Sequence, residues 1–307
     1  MVLISNKRGV FFVAMALVIL SLFVLLYTFS SEIIERKAIQ QRIQTMNEFS
    51  LSMVNDLEKN VYVGGYRTIF LIEDKIVTTG NYASNINSVF QEAFLESKFD
   101  GQENPILLDS SFQSIINSIS AEARKMNLEL QVYSRNMSVL QDDPYNVKII
   151  WNIDYNLSDL SDLASINANA NITSYIPISE FDDPIYLIET GGKISNKFNL
   201  TPYNPVYTPS DISNFSNHVA NSYYLSSTNA PSFLNRLSGN FSASEYGIES
   251  FVNLGELSIQ GVSINEKSTL DYVYFSNSNP SPLCTVSGMP VWFRIDSSNA
   301  IRYNISC

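Results

Sequence analysis

The sequence predicts an α+β protein: a long hydrophobic N-terminal helix and stalk, a helical collar, and a mostly antiparallel β head. Three observations predict it. Residues 10–63 contain neither glycine nor proline and open on an uncharged apolar run. Two amphipathic segments follow, with apolar residues three and four apart. From Leu128 the period changes to two, the alternation of a half-buried strand. These changes of pattern divide the chain into a leader (1–9), an apolar helix (10–30), a helical stalk (31–62), a collar (63–127) and a β-rich head (128–307).

The apolar helix comes first. Val10 to Phe29, "VFFVAMALVILSLFVLLYTF", gives at 1.5 Å per residue a helix of about 30 Å, the thickness of a bilayer's hydrocarbon core. The run is longer than the roughly 7 to 15 apolar residues of a cleaved secretory signal, and "TFSSE" is a poor cleavage site. In the stalk, Ile39, Ile43, Met46, Met53 and Leu57 keep a 3-4 spacing with Ser50 as the polar lapse. This stripe fits either a neighbouring copy or the protein's own head. "YVGGY" at Tyr62–Tyr66 is the first expected break, and Thr68–Thr79 a short helix stopped by Gly80.

Collar and head follow from their periodicities. Ile86, Val89, Phe90 and Phe94 mark one helix, and Phe112, Ile115, Ile116, Ile119, Ala123 and Met126 a second, capped by Asp109 or Ser110. "LELQVYS" and "VKIIWNIDY", joined by "QDDPYN", read as an antiparallel hairpin. Further strands are expected at Ile172–Ile178, Ile185–Glu189, Lys193–Phe198, Leu270–Phe275 and Val291–Ile295, with Gly191-Gly192 as a tight turn. A loop-rich stretch from Leu200 to Ser244 holds two short helices, one opening at Pro231 and stopping at Gly239.

Composition restricts function more than it assigns it. Net charge is −11, and charged residues make up 16% of the chain, below the usual quarter. The few Lys and Arg are scattered, so the counterion release that drives nucleic-acid binding has no basic patch to act through. No G-x-S-x-G, H-E-x-x-H, P-loop or G-x-G-x-x-G occurs, and His218 is the single histidine, read as a helix-surface residue. Asp142-Asp143-Pro144 and Asp182-Asp183-Pro184 offer carboxylates, but Asp-Asp-Pro is above all a turn starter. The segment from Asp154 opens like a calcium loop and then places Asp159 where glycine is required, so it fails as one. The sequence therefore assigns no cofactor, metal or catalytic residue. A two-carboxylate hydrolase, whose acids need no fixed spacing, stays open as an alternative.

Cys284 and Cys307 are too few for a zinc cluster; they read as a disulfide pinning the C-terminus, with two free buried thiols as the other reading. Sequons stand at Asn136, Asn156, Asn171, Asn199, Asn214, Asn240 and Asn304, weak signals in so Asn-rich a chain. Positive charges near the two ends of the apolar helix are level, Lys7, Arg8 and the α-amino group against Arg36, Lys37 and Arg42. The N-terminus is placed inside because Lys7 and Arg8 abut the helix on a short tail, and because a disulfide needs an oxidising exterior.

Lys7, Arg8, Gly9 and Val10, a basic pair and a small residue ahead of an apolar helix, resemble the start of archaeal type IV pilin-like surface proteins with a class III signal peptide. The likeness covers about the first 60 residues. It implies cleavage between Gly9 and Val10 by a prepilin-type peptidase, with glycine giving that enzyme an extended backbone. It also implies retention of the apolar helix in lipid or in a filament core, self-assembly through that helix, and a head presented outside for adhesion or surface assembly, where the Tyr, Asn and Ser content suits a protein or glycan ligand by composition alone. Ala14 stands where bacterial pilins have a glutamate, which weakens the case for bacterial-style subunit pairing. "APSFLNRLSGNFSASEYGIESFV" and "STLDYVYFS" resemble the heads of large archaeal proteins of this kind, which carry no known activity. The alternative without processing is an uncut single-pass anchor displaying a binding module, a receptor or S-layer contact.

Overall fold

The computed structural model describes residues 7–204 and 211–307. Helix α1 runs unbroken from Lys7 to Thr79, about 110 Å at 1.5 Å per residue. The residues before Lys7 lie outside the described part. From Phe11 to Phe29 every residue of α1 is exposed, and this stretch is long and apolar enough to cross a membrane.

The expected break at "YVGGY" is absent, because its two glycines serve contact rather than a turn. A Cβ on Gly64 would stand 3.0 Å from the Phe94 ring and 3.3 Å from the Ser110 carbonyl; one on Gly65 would overlap Ile149 and Ile176 at 2.3 and 2.5 Å. The helix lies that close to the sheet, at the cost of about 1 kcal/mol for each glycine in a helix interior. Gly80, at φ +66°, ends α1.

Helices α2 (Ile86–Glu96) and α3 (Phe112–Lys125) pack beside α1. Asn85 caps α2, and Ser111, not Asp109 or Ser110, caps α3 by accepting from the Ser114 amide at 3.3 Å. A two-residue ribbon, β1 (Lys98–Phe99) with β2 (Gln102–Glu103), lies between these helices in sequence.

The main sheet is an antiparallel meander of β3 (Leu128–Asp143), β4 (Asn146–Asp159) and β5 (Ser165–Pro177), in that spatial order. It confirms the expected hairpin and extends the expected strand at Ile172. Val147, Ile149, Trp151, Ile153 and Leu157 of β4 point inward and are buried. Against them α1 lays Met46, Met53, Leu57, Val61, Ile69, Ile72 and Ile76. Burying these seven α1 side chains stabilises the docking by roughly 10 to 20 kcal/mol, an upper bound. The rings of Phe94 and Phe112 meet Trp151 edge-on at 5.1 and 5.4 Å, so the collar closes the same core.

The stalk's apolar stripe is therefore intramolecular from Met46 onward. Its polar lapse, Ser50, has a purpose: its hydroxyl meets the Tyr155 hydroxyl at 2.6 Å. The free arm ends near Arg42, whose guanidinium pairs with Asp159 and donates to the carbonyls of Met126 and Asn127 at 2.7 and 2.6 Å. The expected stalk of residues 31–62 is thus a free arm only to about Gln41.

Beyond Pro177 the head is built from short pieces: α4 (Pro184–Glu189), β6 (Asn199–Leu200), α5 (Ser213–Asn221), β7 (Tyr223–Ser226), α6 (Phe233–Leu237), β8 (Ile248–Glu249), α7 (Leu254–Ile259), α8 (Asp271–Tyr274), β9 (Leu283–Thr285), β10 (Arg294–Asp296) and α9 (Ser297–Ala300). Strand β7 pairs with β6 in parallel and with β8 antiparallel, and β9 pairs with β10 antiparallel. Several expected strands are overturned. Ile185–Glu189 is helical because Asp183 caps the segment and Pro184 fits its first turn. Gly191 and Gly192, both at positive φ, close that helix instead of a hairpin. Lys193–Phe198 forms only an isolated bridge, Asp182 with Lys197. Leu270–Phe275 is the helix α8, and Val291–Ile295 shifts to β10. Helices α5 and α6 are the two expected short ones, with Ser232 capping α6 and Gly239 at φ +68° beyond it.

Candidate functional site

The N-terminal candidates lie in the first turn of α1. Lys7, Arg8, Gly9 and Val10 are all helical, so the extended backbone expected at Gly9 is not what the structure has. A peptidase acting on the Gly9–Val10 bond would have to unwind one turn.

Cys284 and Cys307 form the disulfide, with Cα atoms 4.7 Å apart. It ties the chain end to β9, whose Cys284 is buried in a second core with Phe215, Phe251 and Phe293. By restricting the unfolded chain, such a bridge stabilises the fold by about 3 kcal/mol.

Of the sequons, Asn136, Asn171, Asn199, Asn240 and Asn304 are exposed, whereas Asn156 and Asn214 are half-buried. His218 is not on the surface. It is buried, its Nδ1 lies 2.9 Å from the Asn214 carbonyl, and burial lowers its pKa, so the ring is neutral.

The strongest chemistry in the head was not legible in the sequence. Arg236 on α6 is wholly buried, and its Nη1 lies 2.6 Å from Asp183 Oδ2 and 3.0 Å from Asp271 Oδ2. Its Nη2 donates to the Ile248 carbonyl, and the Tyr224 hydroxyl donates to Asp183 at 2.8 Å. The Ser250 amide and hydroxyl both donate to Asp271, at 3.0 and 2.8 Å. Burial pushes the Asp183 carboxyl above its ordinary value, opposed by Arg236. Burial would lower the Arg236 pKa, but Asp183 and Asp271 more than offset it and hold the cation charged. This is the one arrangement that places two aspartates about a common cation among the described salt bridges, and it is sealed from solvent. A substrate cannot reach it, so it does not supply the two working carboxylates of a hydrolase.

A second buried cluster anchors the chain end. Glu249 on β8 receives Arg302 Nη1 at 2.9 and 3.0 Å and the Tyr303 hydroxyl. A third has Asp296, which accepts from Ser268 Oγ at 2.8 Å and from Asn299 Nδ2 at 3.0 Å. Asp183, Asp271 and Glu249 meet their cations across long sequence separations, which is why spacing did not reveal them, whereas Asp296 combines the distant Ser268 with the neighbouring Asn299. These clusters hold together a region whose strands are too short to do so alone.

Two open clefts meet at Arg302. One, about 530 Å³, lies among Tyr145, Tyr203, Leu225, Tyr303 and Asn304. Its neighbour, about 540 Å³, is bordered by Asp142, Asp143, Glu245 and Tyr246. The first Asp-Asp-Pro turn thus edges a cleft, with Asp142 held by Lys148 at 2.5 Å. In the second, Asp183 is the buried partner of Arg236 and Asp182 accepts from Ser195 Oγ at 2.6 Å. No group of three or more His, Cys, Asp or Glu suited to a metal ion occurs among the described residues.

Comparison with known proteins finds no family model, no curated protein and no solved structure that matches the chain.

Proposed function

We propose that this chain is a type IV pilin-like cell-surface protein, held by Val10–Phe29 in lipid or in a filament core, with the head outside and its ligand a protein or glycan. One observation carries the reading: the helix that forms the spine of the head continues, with no break, into a segment exposed on every side. Leaving ten of its large side chains in water would cost about 15 to 30 kcal/mol, so it needs lipid or other copies of itself around it. The disulfide supports an oxidising exterior for the head.

Processing at Gly9 is part of the proposal and is tested by the N-terminal sequence of native protein. Val10 as the first residue supports it; Met1 or Val2 there rejects it. Shearing native cells is expected to release the protein in filaments, and Leu20→Asp to abolish them. Detergent extraction of a folded monomer cut at Gly9, with none in the sheared fraction, would leave a processed protein that stays in the membrane. The helical Gly9–Val10 bond favours a second reading, an uncut anchor displaying a binding head, and the same N-terminal sequence decides between them.

A further inference from the structure

The sheet has two faces, and only one is covered. α1, α2 and α3 pack on the side that carries Trp151. On the other side, three of the rows that the register sets across the strands are rich in amides. Asn136, Asn152 and Asn171 form one; Tyr133, Asp154 and Asn169 the next; Gln131, Asn156 and Asn167 the third. Neighbouring members of a row are about 4.8 Å apart, and successive rows about 6.6 Å apart along a strand. Seven of these nine side chains are amides. The side chains of Asn167, Asn169 and Asn171 are exposed and hydrogen-bond to no other described residue, and the Asn156 Oδ1 is buried in the protein surface without a partner. The Tyr133 ring, 60% exposed, lies open beside them, its hydroxyl donating to Gln131 at 3.1 Å.

Charge selects the class of ligand. On a protein of net charge −11, the cations of this face are already neutralised: Arg135 by Asp154 at 2.5 Å, and Lys148 by Asp142 at the same distance. The charge left without an ion partner among the described residues of this face is Glu129, opposite Ser158, and an anion repels phosphate, acidic lipid headgroups and acidic peptides. Its open large hydrophobic side chains are Tyr133 and Tyr175, with Leu140 and Ile150 half-buried near Tyr175, so the amide rows themselves hold no central cluster of the apolar anchors that a protein partner needs. What it offers is a regular set of amide donors and acceptors beside two open aromatic rings, Tyr133 within the rows and Tyr175 farther along with Lys148 over it, which suits a polymer rich in hydroxyls with one apolar face per unit.

We infer that the outer face of β3–β4–β5 is a binding platform for a neutral oligosaccharide. Sugar hydroxyls bond to the amide rows and one ring stacks on Tyr133. The inference deepens the surface-protein reading by assigning a ligand class to the head. It also sets this face against its own sequons, since a glycan attached at Asn136 or Asn171 would cover the rows.

The test uses the full chain purified in detergent and a panel of hexasaccharides of glucose, mannose, galactose and N-acetylglucosamine, read by calorimetry. At least one is expected to bind. Tyr133→Ala and Asn169→Ala should each weaken it roughly tenfold, the loss of about one contact, with thermal unfolding unchanged. Tyr203→Ala, in the cleft near Arg302, should leave binding as it was. No binding by any of the four, binding lost in Tyr203→Ala but kept in Tyr133→Ala, or a covalent glycan on Asn136 or Asn171 in the intact mass of native protein would each overturn the platform. The assay is independent of the membrane, so a head found on the cytoplasmic side would refute the surface placement without altering this result.

Discussion

The two halves of α1 are one helix solving two problems. Between Met46 and Ile76 its buried apolar residues keep to a stripe, and the rest of the circumference carries residues such as Glu48, Asp56 and Lys59, with Leu51 and Phe70 exposed among them. Between Phe11 and Phe29 they surround the axis completely, and none is buried. A stripe implies a single covering surface, here the sheet, whereas an apolar circumference implies an apolar medium on all sides. A continuous backbone therefore carries one half whose partner is within the molecule and one half whose partner lies outside it. Arg42, fixed to Asp159 and to two carbonyls at the α3 end, is where one regime gives way to the other.

The sharpest way to break this comparison is the same substitution in each half. Leu57 is fully buried against the sheet, so Leu57→Asp should destabilise the head by at least about 4 kcal/mol and leave little folded protein. Leu20→Asp should leave the head's melting temperature within about a degree of wild type in detergent, because Leu20 touches nothing in the head and surface changes stay within roughly 0.5 kcal/mol. Equal loss of stability in both variants would show that the halves are not independent.

A second comparison is between the first core, rich in long elements, and the region beyond Pro177, held by buried ion pairs. Arg236→Met leaves Asp183 and Asp271 buried without their shared cation. A loss of about 3 to 5 kcal/mol is expected in chemical denaturation. The triple variant Arg236→Met, Asp183→Asn, Asp271→Asn should recover much of it, because the uncompensated charge is then gone. If the triple variant is no better than the single one, packing by the arginine stem carries the stability instead.

These regions also differ in how much of them could be read from sequence. The hairpin β3–β4 was legible because each residue's face is fixed by its neighbours two positions away. Ile185–Glu189 was not, since a short apolar run has no period; only Asp183 and Pro184, an N-cap and a first-turn proline, pointed to a helix. "YVGGY" misled because glycine marks a turn as often as a close approach, and only the position of Phe94, Ile149 and Ile176 in space separates the two. The buried Arg236 cluster was beyond reach because its carboxylates come from residues 53 positions before and 35 after it. What could be read was local; what could not depends on partners that the fold brings together.

The smallest expected effect concerns Glu73, on the last turns of α1 where the helix meets the second Asp-Asp-Pro turn. Burial, reinforced by Asp182, pushes its carboxyl up to about 9, and its Oε1 is buried without a partner. The fold thus favours the neutral form, whereas the unfolded chain titrates near its ordinary value of 4.5. Its contribution to stability is complete below about pH 4.5 and declines as pH rises toward 9, because the folded state holds the proton that the unfolded state has released. Glu73→Gln keeps the shape without the charge. Relative to wild type it should gain about 1 to 2 kcal/mol by pH 8, once partial solvent access is allowed for, and nothing at pH 4. The measurement is the difference in denaturation midpoint between the two proteins across that range. A constant difference would mean that Glu73 does not change protonation on folding, and that the end of α1 is as open to water as its first turns.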